Sequence, residues 1–168
     1  FTPIKRVCTD KTFMGYVRQN GDVGIRNDIW IVNTVGCVNK IAKRLSELTG
    51  AKYFEHPFGC SQLGEDNENI KKLLCGVALN PNASFVLFVG LGCENNGLDG
   101  IKEYLKPYNR DNIAYFNCQD VGDEIGYGLE ILKDFCDRAS KLQREDVPVS
   151  ELCIGLKCGG SDGFSGLT

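Results

Sequence analysis

The sequence predicts an α/β fold, a parallel sheet of about five strands with flanking helices behind an N-terminal β-hairpin. Three observations carry that expectation. Apolar, β-branched runs alternate with segments whose apolar residues recur at helical spacing, the rhythm of right-handed βαβ units. An Asn20-Gly21 pair lies between two short β-type runs, the strongest local signal for a hairpin. Cys37, Cys60, Cys93, Cys118 and Cys158 each fall just past the carboxyl end of a successive expected strand. In open α/β sheets that edge is where ligands bind.

The elements follow in order. Residues 13–26 form the hairpin, with Val17-Arg18 and Val23 to Arg26 flanking the turn. Residues 28–35 are nearly continuously apolar, as expected of a strand buried on both faces. Val38, Ile41, Ala42, Leu45 and Leu48 outline a helix that Gly50 ends, and residues 51–55 make a short second strand. A helix through Ile70, Leu74 and Ala78 stops at Asn80-Pro81, and residues 84–89 are the third strand. Leu98, Ile101 and Leu105 mark a short helix, residues 113–116 the fourth strand, and Val121 to Leu142 a long helix. Residues 152–156 are the expected fifth strand. The arrangement is Rossmann-like, with a hairpin segment over 1–27 and the α/β domain over 28–168.

Composition sets bounds on function. A hydrophobic content of 42% and a charged content of 24% over 168 residues are those of an ordinary globular domain. A formal net charge of -3 argues against nucleic acid as a partner. No apolar run approaches the length of a membrane span. The start at Phe1 and the stop soon after a glycine-rich motif lead us to expect part of a larger enzyme. Nine cysteines are odd in number and accompany a self-sufficient core, so reduced thiols in the cytoplasm are expected rather than a disulfide framework. Cys75 and Cys136, within helices, and Cys153, within a strand, read as small buried hydrophobes.

The loop residues carry the chemistry. His56 is the only histidine, and it precedes Cys60 by four residues through a shaped Pro57-Phe58-Gly59 turn. Imidazole and thiolate are common ligands for iron and zinc, so His56, Cys60, Cys93 and Cys158 are the candidate metal ligands. Three cysteines on separate loops also suit an iron–sulfur cluster with one open iron. Lys157, Glu94 and Asp162 are the candidate acids and bases. Arg18 and Arg26 are suited to grip a carboxylate, and Ser61, Gln62, Asn95 and Ser161 complete the candidate substrate-binding set. Gly90-Leu91-Gly92 is not a dinucleotide fingerprint. Its third glycine would fall at Asn95, and it lies at the third βα turn. Gly122, Gly126 and Gly128 are expected to allow close helix–sheet packing.

Several motifs in order resemble the altronate/galactarate dehydratase family. They are Gly15-Tyr16-Val17-Arg18 with Gly24-Ile25-Arg26-Asn27, Thr34 to Asn39, His56 to Gly64, Gly90 to Asn96, and Leu156 to Gly166. The resemblance implies a hydro-lyase that dehydrates a sugar acid to a 2-keto-3-deoxy acid with Fe2+ or Mn2+. It also implies a small N-terminal domain or subunit and a C-terminal region beyond this chain, so the implied enzyme is incomplete here. Sulfolactate sulfo-lyase belongs to the same family and leaves an alternative leaving group open. A non-catalytic ligand-binding domain is the third reading. Homo-oligomer formation is expected, and no membrane partner.

Overall fold

The computed structural model describes residues 9–155. The strands are β1 (Thr12–Val17), β2 (Val23–Gly24), β3 (Asp28–Asn33), β4 (Lys52–Phe54), β5 (Ala83–Gly90), β6 (Ile113–Asn117) and β7 (Glu145–Pro148). The α-helices are α1 (Asn39–Thr49), α2 (Gly64–Ala78), α3 (Leu98–Leu105) and α4 (Glu124–Ala139). From the hairpin through α4, the alternation read from the sequence is the observed order. None of these helices is long and apolar enough to cross a membrane.

Strands β4, β3, β5 and β6 pair in that order, all parallel. All eight residues of β5 are buried, which explains why its sequence is continuously apolar rather than alternating. Side-chain alternation splits the core in two. Ile31, Phe85, Leu87 and Val89 face α1 and α4 with Leu45, Leu132 and Phe135. Val32, Val86 and Phe88 face α2 and α3 with Leu74, Cys75 and Ile101. Burying each such aliphatic or aromatic side chain stabilises the fold by roughly 1.5–3 kcal/mol. A helix layer on each face is what a parallel sheet requires.

The chain runs from β3 outward to β4, then returns across β3 to β5 and on to β6. Connections leaving β3 and β5 thus diverge to opposite sides of the sheet. The crevice between them, at the carboxyl edge, is the topological switch point.

The parallel sheet has four strands among the described residues, not five. Residues 152–155 carry no strand, and Ile154 is 71% exposed. Leu156 lies outside the described residues. Cys153 is accordingly exposed rather than a core residue of a strand, and Cys136 is half-buried, whereas Cys75 is fully buried as expected. Strand β7 pairs antiparallel with β1, putting Val147 opposite Phe13 in a second sheet of order β2-β1-β7. Its segment contains one buried valine and Pro148, too little apolar pattern to stand out in the sequence.

Helix α4 is shorter than its apolar spacing suggests. The Asp123 carboxylate accepts from Gly126 N at 2.9 Å and caps the first turn, leaving Val121 outside. Gly128 serves helix–helix rather than helix–sheet contact, since a Cβ there would lie 2.7 Å from Leu45 Cδ1 on α1. The Cβ position of Gly122 faces open space.

Candidate functional site

The carboxyl ends of β3, β4, β5 and β6 open into loops carrying Cys37, Cys60, Cys93 and Cys118. Hydrogen bonds tie these loops together. Gly36 N donates to Phe58 O at 2.8 Å, joining the loop of Cys37 to that of Cys60. The Asn95 amide donates to the carbonyls of Cys60 and Gln62, both at 2.8 Å, joining the loops of Cys60 and Cys93. Gln119 N donates to Leu91 O at 3.1 Å, and its amide reaches Cys93 Sγ at 4.0 Å. Cys37, Cys60 and Cys93 are all exposed thiols.

The thiols of Cys93 and Cys37 are both near enough to Cys60 to act on it electrostatically. Desolvation in the loop cluster, then the neighbouring Cys93, Cys37 and Glu94, push the Cys60 thiol above its ordinary value. Burial and the carboxylates of Glu124 and Glu94 push Cys118 up to about 11.

Glu94 is buried and braces its own loop. Its Oε1 accepts from Thr34 Oγ1 at 2.5 Å and from Leu91 N at 3.1 Å, and its Oε2 from Gly92 N at 2.7 Å. Burial opposes the charge, but the donors Thr34, Gly92 and Leu91 outweigh it and hold the carboxyl below the usual range. An ionised carboxylate so occupied links the end of β3 to the end of β5 across the switch point.

His56 is also buried, at 4% exposed. Asn39, the first residue of α1, grips its backbone from both sides. Asn39 Oδ1 accepts from His56 N, and Asn39 Nδ2 donates to His56 O, each at 3.0 Å. Asn33 Nδ2 donates to the same Oδ1 at 2.8 Å. On the imidazole, Nδ1 lies 2.9 Å from Phe58 O and 3.1 Å from Phe58 N. Protonated, Nδ1 donates to the carbonyl and leaves a free lone pair on Nε2, the arrangement common in metal-bound histidines. Nε2 is buried without a partner among the described residues.

These residues suit a metal in kind. Thiolates and imidazole favour iron over manganese, and the orphan Nε2 requires some partner. Among the described residues, however, no three His, Cys, Asp or Glu side chains are placed to share one ion. Cys60 and Cys93 are neighbours; among the described residues His56 does not join them in a common shell. Cys158, Lys157, Ser161 and Asp162 lie outside the described residues.

The remaining candidates divide between the two edges. Ser61, Gln62 and Asn95 lie on the cysteine loops. Arg18 and Arg26 lie at the opposite, amino-terminal edge. There Arg18 donates to Pro81 O at 2.8 Å, Asn27 Oδ1 at 3.0 Å and Arg26 O at 2.7 Å, so its guanidinium is committed to joining the hairpin to the sheet. Arg26 is exposed, 3.9 Å from Asp28. Neither meets the cysteine loops.

Sequence reasoning missed Thr34, Asn33, Asn39, Asn96 and Asn117. The Oδ1 atoms of Asn33, Asn96 and Asn117 are buried at this same edge without partners among the described residues. The signal was available for two of them: Asn33 and Asn117 each end a strand directly after an apolar run.

A family model described as "D-galactarate dehydratase/Altronate hydrolase, second domain" matches residues 15–140. The chain is 46% identical over 170 residues to altronate dehydratase of Bacillus subtilis (strain 168), covering 95% of this chain and 34% of that protein. It is 40% identical over 179 residues to altronate dehydratase of Escherichia coli (strain K12), covering 100% and 36%. It is 35% identical over 161 residues to the (2R)-sulfolactate sulfo-lyase subunit beta of Chromohalobacter salexigens, covering 93% and 40%. The chain thus spans little more than a third of the length of these relatives.

Proposed function

The chain belongs to the D-galactarate dehydratase/altronate hydrolase family, and we propose that it supplies the thiol-bearing α/β domain of a hydro-lyase acting on a sugar acid. The product is a 2-keto-3-deoxy acid. Support comes from the convergence of three cysteine loops on the switch point of the sheet, braced by the ionised Glu94. Altronate is the first substrate to test, since the two altronate dehydratases share 46% and 40% identity with this chain. Galactarate is the second.

Dehydration requires removal of the proton α to the carboxylate, departure of the β-hydroxyl, and tautomerisation of the resulting enol. Cys60 and Cys93 would hold a divalent metal, Fe2+ before Mn2+, together with Cys158. When bound, that ion supplies Lewis acidity toward the substrate carboxylate and the departing hydroxyl. Lys157 is the candidate for taking the α proton, on residue type. Ser61, Gln62 and the free Oδ1 of Asn95 offer hydrogen bonds to substrate hydroxyls from the loop that Asn95 itself secures. Glu94 holds the loop in place and keeps its charge near the site. Arg18 and Arg26 are at the far edge, so neither grips a substrate held at the cysteine loops. A reducing cytoplasm suits the seven free thiols among the described residues.

Elemental analysis and a visible spectrum of the anaerobically purified full-length protein, with Cys60→Ala and Cys93→Ala, test the ligand set. Loss of iron in both variants, together with loss of altronate dehydration, is the expected result. Full dehydration after exhaustive metal removal overturns the metal role. A brown protein with visible absorption favours the cluster form. Turnover of sulfolactate with release of sulfite, and of neither sugar acid, replaces the hydro-lyase reading with a sulfo-lyase. Lys157→Met should abolish proton exchange at the substrate α carbon, and persistent exchange removes Lys157 as the base.

A further inference from the structure

The amino-terminal edge of the sheet holds a cavity of about 330 Å³ between the hairpin, the starts of β5 and β6, and the end of α4. Four cations line it, Arg18, Arg110, Arg138 and Lys141, against one carboxylate, Asp111. Two of the cations are already engaged. Arg18 is consumed by Pro81, Asn27 and Arg26. Arg138 pairs with Asp134 at 3.3 Å and lies 4.5 Å over the Phe85 ring.

Arg110 is different. Its side chain is only 6% exposed, and its Nε donates to Asn112 Oδ1 at 3.0 Å. Both terminal nitrogens, Nη1 and Nη2, are buried without a hydrogen-bond partner among the described residues. The nearest carboxylate, on Asp22 in the hairpin turn, stands 4.0 Å from Nη1, beyond hydrogen-bonding reach. That distance to the hairpin turn puts the guanidinium toward the hairpin wall of the cavity. A guanidinium stays protonated in proteins, so burial cannot relieve this charge by neutralising it. Two unpaired N–H groups on one planar fork match the paired oxygens of a carboxylate or phosphate. Lys141 is exposed at the mouth and forms no ion pair among the described residues.

We propose that this cavity binds a small free oxyanion, a carboxylate or phosphate group clamped by the Arg110 fork with Lys141 at the rim. The proposal is independent of the lyase reading, since it concerns the edge of the sheet opposite the cysteine loops. Isothermal titration of the full-length protein with inorganic phosphate and with malonate, at constant ionic strength, tests it and separates the two chemistries. At least one ion should bind. Arg110→Gln should weaken it by about tenfold or more, as expected for charge-assisted bonds to a buried guanidinium. Lys141→Gln, an exposed change that leaves the fold intact, should weaken it by a few-fold. Tighter phosphate or tighter malonate identifies the class of ligand. Binding of neither ion, or equal binding by wild type and both variants, overturns the proposal.

Discussion

Replacing Glu94 with glutamine isolates the contribution of one carboxylate to the loop that closes β5. In the native protein Oε1 accepts from Thr34 Oγ1 (2.5 Å) and Leu91 N (3.1 Å), and Oε2 from Gly92 N (2.7 Å). Glutamine keeps one acceptor oxygen. Whichever way its amide turns, the NH2 group faces a backbone N–H that formerly donated to a carboxylate. Hydrogen bonds to charged groups contribute about 1.5–3 kcal/mol each, so Glu94→Gln should cost about 2–3 kcal/mol at pH 7. The pH dependence has a definite sign. Burial opposes the charge, yet the three donors win, and the folded carboxyl titrates below its unfolded value of about 4.3. Its stabilisation is therefore complete above that value and is lost as pH falls through the lower folded value. Urea denaturation of wild type and variant from pH 7 down to pH 3 measures both. The stability gap should be full at pH 7 and narrow on acidification below about pH 4. A gap under about 0.5 kcal/mol at pH 7, the level of an ordinary surface change, refutes the reasoning, as does one indifferent to pH.

Other perturbations reach different parts of the structure. Asn39→Ala removes the amide that grips both backbone groups of His56 and leaves Asn33 unpaired. It should cost about 2–4 kcal/mol and speed hydrogen exchange at His56 and Phe58, read by mass spectrometry or NMR. Gly24→Ala would drive a Cβ into the Pro81 carbonyl oxygen, a backbone atom that cannot swing aside. A loss of about 1–3 kcal/mol in chemical denaturation is expected there. Native alkylation with iodoacetamide at pH 8, followed by peptide mapping, should label the exposed Cys37 and Cys93 and spare Cys75. Cys75 is fully buried, and burial pushes its thiol up to about 11.

Local patterning was enough for most of the architecture. Asn20-Gly21 marked the hairpin, although not as a two-residue turn. Gly21 N donates to Arg18 O at 2.9 Å, which puts Gln19-Asn20 at the centre of the turn and leaves Gly21 to take the positive φ of 87° that follows it. The apolar run ending in Val32-Asn33 marked β3, and the one ending in Val89-Gly90 marked β5. A strand covered by helices on both faces has no solvent-facing positions to break the run. Placing Cys37, Cys60 and Cys93 at strand ends followed from the same pattern, and so did their meeting at one edge, since parallel strands share a carboxyl end. Strand β7 escaped because its pairing with β1 depends on a single buried valine and a partner 134 positions away.

What the sequence by itself determined was which loop residues follow the strands and so lie at the carboxyl end of the sheet. Which of them touch was decided by tertiary structure alone. Glu94 is an acid in the sequence and a loop brace in the fold, because Thr34 arrives from β3 to donate to it. Arg18 is a free cation in the sequence and a hairpin anchor in the fold. Arg110 drew no notice in the sequence, yet among the described residues it is the guanidinium whose two terminal nitrogens have no hydrogen-bond partner, in the wall of a cavity. Such roles depend on contacts between residues tens of positions apart, and a polar side chain carries no sequence signature of whether its partner will be there.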